Sequence, residues 1–158
     1  MSEQLHPDFP VVSGRYALTN EWSVELPIEF NRRIEEGSLV LWRPRFTIWI
    51  NVWNNDHGES TESRMSWMKA GRSPDARDIE EDVGGGFGRI SYRLAEDGVE
   101  ALYGLVVAES GHLQLALYFD DESDVAMARD ILDSVEGPPG HGGVSSGRVQ
   151  ETFREDWI

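Results

Sequence analysis

The chain has 158 residues, and its 14 Lys plus Arg stand against 29 Asp plus Glu for a net charge of −15. That length fits one domain with a sizeable core, and 39% hydrophobic residues make it globular despite its acidity. The charge excludes a nucleic-acid binder, which needs clustered Lys and Arg to neutralise phosphates, and zero Cys excludes disulfides, thiolate metal sites and a thiol nucleophile. The sequence has no apolar run of about 18 residues and its start, MSEQLHPDFP, has no basic segment or apolar signal core. Membrane insertion is therefore not expected, and a cytoplasmic address is.

Residues 1 to 14, with Pro7 and Pro10, are unpatterned and are expected to form a loose arm. From there to residue 136 the periodicity is mostly two. Arg15 to Thr19 and Trp22 to Leu26 read as strands around a turn at Asn20 and Glu21, with Pro27 closing the second. Ser38 to Arg43 is a short strand stopped by Pro44, and Arg43-Pro44-Arg45 implies a hairpin to the next. In Phe46 to Trp53, Phe46, Ile48, Ile50 and Val52 share one face and Thr47, Trp49, Asn51 and Trp53 the other. Ser60 to Ala70, with Met65, Trp67 and Met68, reads as a helix that Gly71 ends in a left-handed cap. Four strands follow, Arg77 to Val83, Phe87 to Ala95, Glu100 to Ala108 and His112 to Phe119. Asp97-Gly98 and Ser110-Gly111 are hairpin signals between them. Val125, Ala128, Ile131, Leu132 and Val135 then give Glu122 to Val135 one helical apolar stripe, with Asp120 and Ser123 as candidate caps. Strands on either side of one helix, then a terminal helix, predict an α+β fold with an antiparallel, meander-rich sheet.

This order of elements resembles the PsbP-like superfamily, which includes DcrB-type bacterial proteins and the Ran-binding Mog proteins. The features that carry the resemblance are Trp22-Ser23-Val24-Glu25-Leu26-Pro27, the hairpin through Trp42 and Trp53, one helix around Trp67, the meander from Arg77 to Phe119 and the ending Ile131-Leu132-Asp133-Ser134-Val135. It spans roughly residues 15 to 135. What it implies is a non-enzymatic role, as an adaptor, an accessory subunit or a chaperone for secreted toxins, with no catalytic residues to transfer. The tail after Gly137 and the lack of a lipoprotein or transit signal depart from it.

Individual motifs point the same way. Gly84-Gly85-Gly86-Phe87-Gly88 lacks the Lys-Ser/Thr of a phosphate loop and leads into a strand rather than a helix. Asp120-Asp121-Glu122 and Asp124 lack the spacing of a calcium loop and read as a helix start. His6, His57, His112 and His141 stand at no metal-ligand spacing, and there is no G-x-S-x-G elbow. Neither a metal, a cofactor nor catalysis is expected.

The informative set is aromatic. Trp49 and Trp53, with Arg89, Ser91 and Arg93, Tyr103, and His112, Gln114 and Tyr118, would together make one polar-aromatic surface for a protein or peptide partner. Equally compatible with the pattern is a helix over this face, with the tryptophans as core. Periodicity fixes which residues share a side of one strand, not which sides coincide between strands. A reading of a different class makes Arg89, Arg93 and His112 the grip of a small anionic ligand or substrate. Finally, Gly137 to Gly147 (GPPGHGGVSSG) reads as a linker, and in the tail 148–158 Val149, Phe153 and Trp157 recur every four residues. The tail is expected either to dock this stripe in an apolar groove, in cis or across a homodimer, or to be a disordered acidic end.

Overall fold

The computed structural model describes residues 4–84 and 87–137. Linker residues from Pro138 on and the tail with Val149, Phe153 and Trp157 lie outside the described residues.

Eight strands form a single antiparallel sheet. β1 (Val11–Ala17), β2 (Ser23–Glu35), β3 (Ser38–Arg43) and β4 (Phe46–Asn54) meander across one half. Helix α1 (Thr61–Ala70) then carries the chain to the far edge, where β5 (Arg77–Gly84), β6 (Phe87–Glu96), β7 (Val99–Ala108) and β8 (Gly111–Phe119) meander back until β8 pairs with β4. The order is β1-β2-β3-β4-β8-β7-β6-β5. After one 3-10 turn, Glu122–Asp124, α2 (Val125–Asp133) closes the domain. Among the described residues no helix is long and apolar enough to cross a membrane.

Turn chemistry explains much of this. Asp97 and Gly98 both take positive φ, 53° and 82°, the pair a tight two-residue hairpin requires. Glu36-Gly37, with φ of 52° and 85°, does the same between β2 and β3, a turn that the sequence pattern did not bring out. Between β7 and β8 the turn residues are Glu109 and Ser110, and Gly111 already pairs with Ala108. Two proline and glycine expectations fail. Pro27 does not close β2: Val12 pairs with Phe30 and Gly14 with Leu26, so residues 27–29 oppose Ser13 alone. That bulge accommodates a residue with no N–H to donate, and it is helped by Gly14 at φ 71°. Gly71 ends α1 at φ −87°, outside the left-handed region. β1 also begins at Val11, so the expected arm is shorter by four residues. Its segment from His6 to Pro10 is tied down, because Asn31 accepts from the His6 backbone N–H at 2.7 Å and donates to the carbonyls of His6, Phe9 and Pro10.

The two helices lie on opposite faces. On β7, Leu102, Gly104, Val106 and Ala108 point one way and Leu105 and Val107 the other. The first side is the main core. There Ala128, Ile131 and Leu132 of α2 pack with Val24, Leu26, Phe30, Leu39, Leu41, Phe46, Ile48, Ile50, Leu113, Leu115, Leu117 and Phe119. On the second side Met65 of α1, with Met68, covers Ile90, Leu105 and Val107. Each helix settles over a glycine. A Cβ at Gly104 would collide with the Leu132 side chain, and one at Gly88 with Met65 Sδ.

Candidate functional site

α1 covers only part of its face. The register sets what lies beside it: Val40 opposes Trp49, Trp49 opposes Ala116, Ala116 opposes Tyr103, and Tyr103 opposes Tyr92. In the flanking rows Thr47 opposes Tyr118, Asn51 opposes Gln114 and Trp53 opposes His112. Trp49, Trp53, Tyr103, His112, Gln114 and Tyr118 therefore share one face, and none of them is fully buried. Trp53, 38% exposed, stacks on His112 with centroids 5.1 Å apart. At the far side of the face Phe9 of the N-terminal arm packs edge-on against Trp42 at 4.9 Å, and Arg33 lies 4.4 Å over the same indole.

Two residues here escaped the sequence reading. Tyr92 stacks on Tyr103 at 5.3 Å, and Glu96 Oε1 accepts from Tyr103 Oη at 2.8 Å and from Tyr118 Oη at 3.3 Å. The two hydroxyls are also 2.8 Å apart. Burial pushes all three phenols above their ordinary pKa, and the neighbouring carboxylate and phenol reinforce this at Tyr103. These tyrosines stay neutral and act as hydrogen-bonding rings. A small cleft between them and α1 is lined by Met68, Ile90, Leu105 and Gln114.

Arg89, Ser91 and Arg93 are not on this face, which corrects the expected single surface. They lie on the α2 side, because the strand offers its even-numbered residues, Ile90 and Tyr92, to α1. Arg89 donates to the Leu132 and Val135 carbonyls at 2.8 and 3.2 Å, capping the C-terminal end of α2 where a cation is favoured. Arg93, 7% exposed, is held by Glu122 at 2.9 Å and Glu100 at 2.6 Å, and these carboxylates raise its pKa further above its ordinary value. It ties the turn before α2 to the sheet. A polar cleft beside α2 does contain Arg89 and Arg129, yet Arg129 is engaged with Ser91 Oγ at 2.7 Å and Glu80 at 3.5 Å. With His112 on the opposite face, the three residues of the anionic-ligand reading do not converge.

His112 is shaped by α1. Arg64 donates to the Gly111 and Ala108 carbonyls at 3.0 and 2.6 Å. Burial, with the Arg64 charge adding to it, lowers the His112 pKa from 6.5 to about 4. Between those values the unfolded chain binds a proton that the folded chain refuses. Stability present above pH 6.5 is therefore lost as pH falls toward 4. His112→Gln is expected to flatten the fall of the urea midpoint across this window, and a slope identical to that of the unsubstituted protein would contradict the assignment.

No family model matches the chain, and no curated protein does. Among solved structures, a protein from Bacteroides thetaiotaomicron is similar with a TM-score of 0.57 and 12% identity, covering 82% of this chain and 50% of that one. The chain thus spans about half that protein's length. LpqN, involved in cell envelope biogenesis of Mycobacterium tuberculosis, aligns over 87% of this chain and 90% of its own at 12% identity and a TM-score of 0.37. The Bacteroides likeness is one of fold alone.

Proposed function

We propose that this chain is a non-catalytic, PsbP-like binding module that takes a protein or peptide on the face of Trp49, Trp53, Tyr103 and Tyr118. The observation that carries this reading is their incomplete cover. These large rings lie on a sheet face whose helix sets its apolar side chains, Met65 and Met68, against Ile90 of β6 and Leu105 and Val107 of β7. Aromatic residues with an apolar body and a polar tip, held on a rigid sheet, supply much of the binding energy at protein interfaces. The whole chain's charge of −15 favours a neutral or basic partner. An adaptor or chaperone-like role follows, in which the face shields an apolar or aromatic segment of the partner.

The test is affinity purification from the native cell with the unsubstituted protein and with Trp49→Ala/Trp53→Ala. The melting temperature of each is recorded first. A partner retained by the first and at least tenfold depleted with the second, while the variant stays folded, is the expected result. Equal recovery would place the partner elsewhere. If the variant unfolds instead, with the roughly 3–5 kcal/mol loss of a core Trp, the two indoles are core residues and the reading fails.

A further inference from the structure

At the middle of this face lies Ala116, in a strand with neighbours on both sides, yet it keeps solvent access. The register explains why. Ala116 stands between Trp49 of β4 and Tyr103 of β7, roughly 10 Å apart as twice the interstrand spacing. Gln114 and Tyr118 lie two residues away along β8 on the same face. One small residue among four large ones leaves a notch with an alanine floor.

We propose that this notch takes a cationic side chain of the partner, an arginine guanidinium. This rests on the binding reading above and names the chemistry it recognises. The walls suit a cation: Tyr103 and Tyr118 meet at 81° with centroids 6.1 Å apart, and Tyr92 extends the stack behind Tyr103. Such rings present negative faces to a cation. Behind them is Glu96, whose Oε1 serves both tyrosines and whose Oε2 has no hydrogen-bond partner among the described residues. The Gln114 amide oxygen is likewise unengaged there and can accept from a guanidinium N–H. The same face already holds one guanidinium on an indole, Arg33 over Trp42, with Glu35 Oε1 2.7 Å from Arg33 Nη2. An arginine in the notch would likewise lie against an aromatic face, with the Glu96 charge acting from behind the two phenols whose hydroxyls it accepts from. The surplus of acidic residues over the whole chain draws a basic partner toward it.

The probe is N-acetyl-arginine amide, with N-acetyl-citrulline amide as its uncharged counterpart of the same shape. Binding is read from the Trp49 indole N–H resonance of the full chain, assigned with Trp49→Phe. The arginine probe is expected to shift this signal saturably and to bind at least threefold more tightly than the citrulline probe. Glu96→Gln should remove most of that difference, and Ala116→Leu, which fills the notch, should abolish the shift. If Ala116→Leu does not fold, Glu96→Gln decides alone. Equal binding of the two probes, or no saturable shift with arginine, overturns the proposal. Should that happen while partner capture still depends on Trp49 and Trp53, the face binds something other than a cation. Should capture be independent of both, the binding reading itself is the one that fails.

Discussion

Gly104→Val is expected to destabilise the domain by about 3 kcal/mol, the upper part of the usual range for forcing atoms into a packed core. Valine suits a strand, and Gly104 does not take positive φ, so neither propensity nor backbone strain opposes the change. The cost comes from the other layer. A Cβ at this position falls on the fully buried Leu132 side chain, which the sheet on one side and α2 on the other leave little room to move. Leu132→Ala alone costs about 2–5 kcal/mol by opening a cavity. The two substitutions together should cost at least about 1 kcal/mol less than their sum, since one supplies the volume that the other removes. Urea denaturation of the two single variants and the double variant measures this directly. Strict additivity would mean that α2 does not seat on Gly104.

Arg64→Met is expected to cost about 3 kcal/mol, on the scale of lost hydrogen bonds to a charged group. Arg64 is 2% exposed and joins α1 to the β7–β8 hairpin through the Ala108 and Gly111 carbonyls, with a further bond to the Ser60 carbonyl at 3.4 Å. Burial lowers its pKa below the usual arginine value, with Glu59 opposing the shift. Methionine keeps much of the length and none of the donors, so two hairpin carbonyls lose their side-chain partner. Amide exchange should accelerate across α1 before it changes in α2, because the cluster of Met65, Ile90, Leu105 and Val107 is small and separate from the main core. The same substitution removes a positive charge beside His112. The His112 pKa should then rise from about 4 while staying below 6.5, since burial is the larger cause of its depression. A His112 titration unchanged by Arg64→Met would show that the guanidinium does not act on the ring.

Both helices depend on a contact that leaves no mark in the sequence pattern. Gly88 and Gly104 sit inside strands, where a glycine signals a bulge or a close approach without saying of what. Only the packed layers identify the approaching groups as Met65 and Leu132.

What the sequence determined by itself was local. Alternation in Phe46 to Trp53, the stripe of Val125, Ala128, Ile131 and Leu132, and the Asp97-Gly98 turn are set by residues within a few positions of one another. Their elements are present in the structure, as is the antiparallel meander that short turns enforce. The sharing of a side by Trp49 and Trp53, and by His112, Gln114 and Tyr118, was legible for the same reason. Which sides meet was a tertiary matter. The pairing of Tyr92 with Tyr103 fixed β6 so that Tyr92 and Glu96 joined the aromatic face and Arg89 and Arg93 turned to α2. A shift of one residue would have exchanged the two sets, because side chains alternate with a period of two and nothing within a single strand specifies its partner's phase.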